Sequence, residues 1–200
     1  MKKEIKMNYK QGAMFGLDAR IALAIFGALS VISGAALYSA IQKAKVTSLI
    51  TEMNELGKAV DSYQLDTGVL PPFDIAAHNH MDAMELLNSS VYNWNGPYIS
   101  GEQYGTTGTE VLNLKHSTYN YIGIRRMETA SWGNLTIKNC TSASTPCALY
   151  IIIVEVPKSM ADAIDQRIDG TLDDSNGKVR LYPAGTGWSV WMQYRPYSYQ

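Results

Sequence analysis

Cys140 and Cys147, in NCTSASTPC, are the two cysteines of the chain. An even count, close spacing and a Ser/Thr/Pro-rich loop between them point to a disulfide formed in an oxidising compartment. The competing chemistry is a pair of metal thiolates, but no second cysteine or histidine pair stands nearby to complete a zinc site. A second stretch, DGTLDDSNG, offers Asp169, Asp173, Asp174 and Asn176. Clustered side-chain oxygens suit calcium, which takes six to eight oxygen ligands. The spacing does not follow an EF-hand loop, and a polar hairpin turn is the plainer reading. AHNHMD offers His78, His80 and Asp82. A spacing of two on a strand would place both imidazoles on one face, as a metal site needs, whereas histidines in a polar loop are ordinarily just solvated. No Walker loop, G-x-S-x-G or H-E-x-x-H is present, so no enzyme is expected.

The elements that carry these residues begin with an uneven distribution of apolar groups. Of 200 residues 46% are hydrophobic, and the 21 from Ile21 to Ile41 carry no charge. At helical rise this run reaches roughly 30 Å, the thickness of a bilayer core. A cleaved secretion signal has a shorter apolar region, about 7–15 residues, so the run reads as a retained anchor. Lys2, Lys3, Lys6, Lys10 and Arg20 precede it, whereas only Lys43 and Lys45 follow closely. The positive-inside tendency puts that end in the cytoplasm and the bulk of the chain across the membrane.

From Val46 the pattern becomes a stripe: Val46, Leu49, Ile50, Met53, Leu56, Val60 and Tyr63, with charged and polar residues between. Steps of three and four mark one buried helical face. With no proline from 17 to 70, one helix is expected from Leu17 to Asp66, on the order of 70 Å long, stopped by Gly68 and Pro71-Pro72. A short helix is expected around Met81–Leu87, and strands at Tyr119–Arg125, Leu135–Asn139, Leu149–Val156, Lys178–Tyr182 and Ser189–Tyr194. LYIIIVEV is apolar enough for a central strand. Ser159–Ile168 reads as a helix with Ser159 as its N-cap. The fold class is therefore α+β: a long N-terminal helix packed on a small antiparallel sheet. The aromatic end, Trp188, Trp191, Tyr194, Tyr197 and Tyr199, reads either as sheet packing or as a partner surface. Arg125-Arg126 reads as a strand end facing solvent.

Taken together, the basic leader ending in Gly16, the uncharged helix and its amphipathic continuation resemble the start of type IV pilins and type II secretion pseudopilins. LDTGVLPP (Leu65–Pro72), WNGPYIS (Trp94–Ser100) and DAIDQRIDGTLDDSNGKVRL (Asp162–Leu181) are similar to downstream segments of the same proteins. The resemblance implies segments 1–16 as leader, 17–41 as membrane and filament-core helix, 42–66 as the amphipathic half of that helix, and 67–200 as a pilin-like periplasmic domain. It implies cleavage by a prepilin peptidase after Gly16 and methylation of Leu17. It also implies calcium in a loop near the C-terminus, as in major pseudopilins. The family usually has Phe first after the cut and Glu at the fifth mature position, where this chain has Leu17 and Ile21. Asp18 and Arg20 are the nearest charges, and an acid at Asp18 is placed to neutralise a terminal amine. An atypical or minor subunit fits these departures.

Ala24, Gly27, Ala28, Ser30, Gly34 and Ala35 are small residues spaced mostly three or four apart, which lets helices approach closely in lipid. Membrane helices are also simply rich in Gly and Ala. Without the leader's four Lys and one Glu the chain holds 13 basic and 17 acidic residues, a formal charge of −4. That argues against a general nucleic-acid binder. The expectation is a structural subunit of a secretion pseudopilus or pilus-like filament in the bacterial inner membrane. Its partners would be copies of itself or related subunits, the peptidase, an assembly ATPase and a membrane platform. The alternative is an uncleaved single-span protein with a periplasmic binding domain.

Overall fold

The structure, a computed structural model, describes residues 12–74, 80–130, 132, 140 and 146–197. Packing divides the chain into two units, Met1–Lys45 and Val46–Gln200. Helix α1 spans Gly12–Thr67 and supplies residues to both. It already runs through Gly12–Gly16, upstream of the expected Leu17, a stretch that holds no proline. It ends as expected: Gly68 takes φ +76° and its N–H donates to Gln64 O at 2.9 Å. A glycine reaches that left-handed geometry without strain, and Pro71-Pro72 bars any continuation.

In the first unit the apolar residues of α1 face outward. Leu23, Phe26, Leu29, Val31, Ile32 and Leu37 are all exposed. Among the described residues α1 alone, over Asp18–Thr67, holds a window long and apolar enough to cross a membrane by length and composition.

The second unit is built on an antiparallel sheet. Its strands are β1 (His80–Met81), β2 (Leu114–Lys115), β3 (Tyr121–Glu128), β4 (Cys147–Val156), β5 (Val179–Ala184) and β6 (Gly187–Tyr197). The order is β1-β3-β4-β6-β5, with β2 also pairing with β3. Helix α2 (Lys158–Ile168) connects β4 to β5. Register fixes the two faces. Ile124 lies opposite Ile151, Ile151 opposite Met192, and Met192 opposite Val179. This row packs with Val46, Leu49, Met53, Leu56, Val60 and Tyr63 in the main core. The other face carries a second cluster of Met127, Trp132, Ala148, Tyr150, Ile152, Val154 and Trp191. Strand β4 is buried on both faces, which is why its sequence is almost continuously apolar.

Several expectations need correction. Met81–Leu87 is not one helix: Met81 ends β1, and a single 3₁₀ turn follows over Ala83–Leu86, where Asp82 accepts the Met84 N–H at 2.9 Å. Seven residues of helical pattern are too few to outweigh pairing of Met81 with Ile124. Helix α2 starts at Lys158, and its N-cap is Pro157 rather than Ser159. The Pro157 carbonyl accepts from both Met160 and Ala161. Arg125 is fully buried rather than solvent-facing, and the Arg126 guanidinium lies 4.2 Å from the Phe73 ring centroid. The expected strand Leu135–Asn139 lies outside the described residues.

Candidate functional site

The processing and assembly candidates sit in the first unit, all within α1. Gly16, Asp18 and Arg20 are exposed, and Leu17 is helical. Gly27 and Gly34 have open space where a side chain would be, with nothing within 4 Å of an added Cβ. The apolar window of this helix is exposed on every side, with none of it buried inside its own unit. Ile21 is exposed among the apolar groups and offers no charge at the position where the resembled family has Glu.

The oxygen-rich loop between α2 and β5 is held by its own aspartates. Asp173 accepts the Ser175 and Asn176 N–H groups at 3.0 and 3.2 Å, and its other oxygen accepts Asn176 Nδ2 at 2.9 Å. These donors hold the Asp173 carboxyl below its usual range. Asp169 accepts Val179 N at 2.8 Å, and Asp174 pairs with Lys158 at 2.9 Å. Lys158 also pairs with Asp162 and lies over the Trp188 ring. The donors that calcium would have to displace are thus already engaged. Among the described residues no three His, Cys, Asp or Glu side chains are placed to hold a metal ion. The four predicted residues do share one loop, but as placed they do not fit a resident cation.

Sequence reasoning missed Asp165, on α2 beside that loop. It is buried; one oxygen accepts Asp173 N at 3.0 Å and the other has no partner. Burial, reinforced by Asp169, Asp174 and Asp173, pushes its carboxyl up to about 6. The only sequence signal is its place on the buried face of α2, between Ala161 and Ile168.

Cys140 and Cys147 are joined in a disulfide, with Cα atoms 5.8 Å apart. Cys147 opens β4 opposite Glu128, whose carbonyl accepts the Trp132 indole N–H at 3.2 Å. Arg180 donates to the carbonyls of Glu128, Thr129 and Ala130 and stacks on Trp132. The bridge therefore closes a segment tied to the second apolar cluster.

His78 lies outside the described residues. His80 is cross-strand from Arg125, and burial together with that cation lowers its imidazole to about 4. The Arg125 guanidinium donates to Asn113 Oδ1 and to the Ile124 carbonyl, both at 2.9 Å. Asn113 in turn donates to Thr109 and Glu110 carbonyls. Gly123 has no Cβ because Asn113 and Arg125 fill that space. His116 is also engaged: its Nε2 lies 3.0 Å from Glu52, and its Nδ1 accepts Thr118 and Tyr119 N–H groups.

The aromatic end divides. Trp191 is buried in the second cluster, Tyr194 donates to Asp61, and Tyr197 meets Phe73 edge-on; Tyr199 lies outside the described residues. WNGPYIS likewise docks: Trp94 donates to Glu85 O, and Tyr98 donates to Asp66 at 2.9 Å. A cleft of about 380 Å³ lies between the Gly68–Phe73 turn and the end of β6, with Arg195 on its wall. Arg195 is paired with Asp61 and Gln64, so the cleft presents no free charge from it.

No protein-family model matches the chain. No curated protein and no solved structure matches it either.

Proposed function

We propose that the chain is a structural subunit of a type II secretion pseudopilus or type IV pilus-like filament. In this reading a prepilin peptidase cuts after Gly16, and the subunit assembles through its N-terminal helix. The observation that carries it is the uncharged run Ile21–Ile41, set directly behind a basic leader ending in Gly and exposed around its whole circumference. Such a surface is at home first in lipid and then among neighbouring helices, where Gly27 and Gly34 permit close approach. The second unit supplies a folded domain in which Trp132, Tyr150 and Trp191 are buried. Localisation in the bacterial inner membrane, with that domain periplasmic, follows from the leader's charge and from the disulfide. The partners are further copies or related subunits, the peptidase, an assembly ATPase and the platform.

The second reading is an uncleaved single-span protein with a periplasmic binding domain. It is favoured by Ile21 in place of Glu and by the continuity of α1 through Gly16 and Leu17. The mass of the mature N-terminal peptide from membranes, with a Gly16→Val control, decides between them. A chain starting at Leu17, one methyl heavier and absent from the control, is the expected result. An intact Met-Lys-Lys start would overturn the filament reading.

A further inference from the structure

Two Asn–Gly pairs occur in the chain, Asn95–Gly96 and Asn176–Gly177. In such a pair the glycine nitrogen is open to attack its neighbour's side-chain carbonyl, because no glycine side chain shields it or restricts the backbone. Asn95 and Asn176 are both exposed, but their flanks are held differently. At the first, Asn95 N–H donates to the Tyr98 hydroxyl at 2.9 Å. Trp94 and Tyr98 are themselves anchored to Glu85 and Asp66, so both flanks of Asn95 are tied to the packed domain. At the second, Asn176 and Gly177 are both exposed, and Gly177 takes φ +90°. The Asn176 amide is held by one exposed contact, Nδ2 to Asp173 Oδ2 at 2.9 Å.

We propose that Asn176 is a site of spontaneous deamidation, independently of the filament reading. The Gly177 nitrogen bonds to Asn176 Cγ, the Cγ–Nδ2 bond breaks, and ammonia leaves with the proton from Gly177. Water then opens the cyclic imide to aspartate or isoaspartate. The consequence is local and directional. An amide that donates to Asp173 becomes a carboxylate that cannot donate, in a loop already carrying Asp169, Asp173 and Asp174. The clasp opens. With it loosen the Ser175 carbonyl that accepts Trp132 N–H at 3.1 Å and the Asp174 carbonyl that accepts Leu181 N–H at 3.0 Å. Age-dependent release of this loop from Trp132 is the expected result.

The test is incubation of the detergent-solubilised, folded full chain in warm, mildly alkaline buffer, followed by peptide mass mapping. Trypsin releases Ile168–Lys178, in which Asn176 is the one asparagine, so a one-dalton gain reports that residue alone. The expected rate exceeds that at Asn95 by about tenfold or more, because the Asn176 clasp rests on contacts within one exposed loop, whereas Trp94 and Tyr98 tie both flanks of Asn95 to the packed domain. The new species should split into aspartate and isoaspartate peaks and vanish in Asn176→Gln. A urea-unfolded sample gives the reference in which both pairs react. If Ile168–Lys178 stays unmodified in the folded chain while reacting in urea, or reacts no faster than Asn95, the proposal is overturned.

Discussion

The Tyr194 hydroxyl donates to the Asp61 carboxylate at 2.5 Å, joining the last strand to helix α1 across 133 residues of sequence. The other oxygen of the same carboxylate lies 2.8 Å from Arg195 Nε in an ion pair. Gly57, one turn earlier on α1, lies under the Tyr194 ring, where any Cβ would collide with it. Tyr194→Phe is therefore expected to cost about 1 kcal/mol, since the bond is charge-assisted but partly solvated. Gly57→Ala should cost more, about 2 kcal/mol, because the ring has to leave its place. Urea titration of the detergent-solubilised chain, read by tyrosine and tryptophan fluorescence, measures both. Burial and Asp61 raise the Tyr194 phenol to about 12. A phenol raised on folding contributes stability that is whole below pH 10 and is lost as pH rises through 12. Tyr194→Phe should lose less stability than the parent in that window, the remainder coming from Tyr63, Tyr98, Tyr119 and Tyr150, which burial also raises.

The contrast between this bond and the stripe that carries it explains what could be read in advance. Val46, Leu49, Met53, Leu56, Val60 and Tyr63 are all buried, because a repeat of three and four over several turns has one stable solution. Strand β4 was equally legible, since a run apolar on both faces belongs in the middle of a sheet. Asp61, Glu52 and Asp66 flank that stripe and look like solvated charges. Their partners Tyr194, His116 and Tyr98 come from distant strands and loops, and no local pattern marks such a pairing. Arg125 misled for the same reason. Arginine is almost never buried alone, and the Asn113 side chain, 12 residues away, joins the Ile124 carbonyl in making its burial tolerable. The aspartates of the α2–β5 loop were found as a group, but their backbone donors were not foreseeable from residue types.

Arg125 sets the next expectation. Its guanidinium bridges Asn113 and the Ile124 carbonyl in full burial, and burial lowers it to about 10 without removing its charge at neutral pH. Lysine has one point of charge and no fork, so Arg125→Lys leaves one of those acceptors without a donor. A loss of about 2 kcal/mol is expected. Hydrogen exchange should show the 108–115 segment, which Asn113 anchors, opening before the rest of the sheet.

Acid sensitivity should split between two buried groups of opposite sign. His80 is lowered to about 4 by burial and Arg125, so its contribution is whole above pH 6.5 and is lost as pH falls through 4. Asp165 is raised to about 6, so its contribution is whole below pH 3.8 and is lost as pH rises through 6. Each spans on the order of 2–3 kcal/mol at most, and over the shared window the two slopes oppose. His80→Gln should therefore be relatively more stable at pH 4 than the parent, and Asp165→Asn relatively more stable at pH 7. Melting curves of the three chains from pH 4 to pH 7 check this. Parallel profiles in all three would refute it.

The disulfide offers the last prediction, because its position ties chain closure to tryptophan environment. Cys140–Cys147 closes a short loop at the start of β4, next to the Glu128 carbonyl that holds the Trp132 indole. Trp132 is buried, 5.5 Å from the Tyr150 ring and 5.3 Å from the Trp191 ring. Opening the bridge restores freedom to the unfolded chain, which for so short a loop costs about 2 kcal/mol. It also frees the segment on which Trp132 sits, while Arg180 still clamps the Glu128–Ala130 carbonyls on the other side. The expected result of the Cys140→Ser/Cys147→Ser double variant is a folded chain whose tryptophan emission moves to longer wavelength. Its main core should stay closed, because Met53, Leu56 and Ile151 lie on the opposite sheet face from Trp132. Unchanged emission with an unchanged melting midpoint would mean that Arg180 alone holds Trp132 in place.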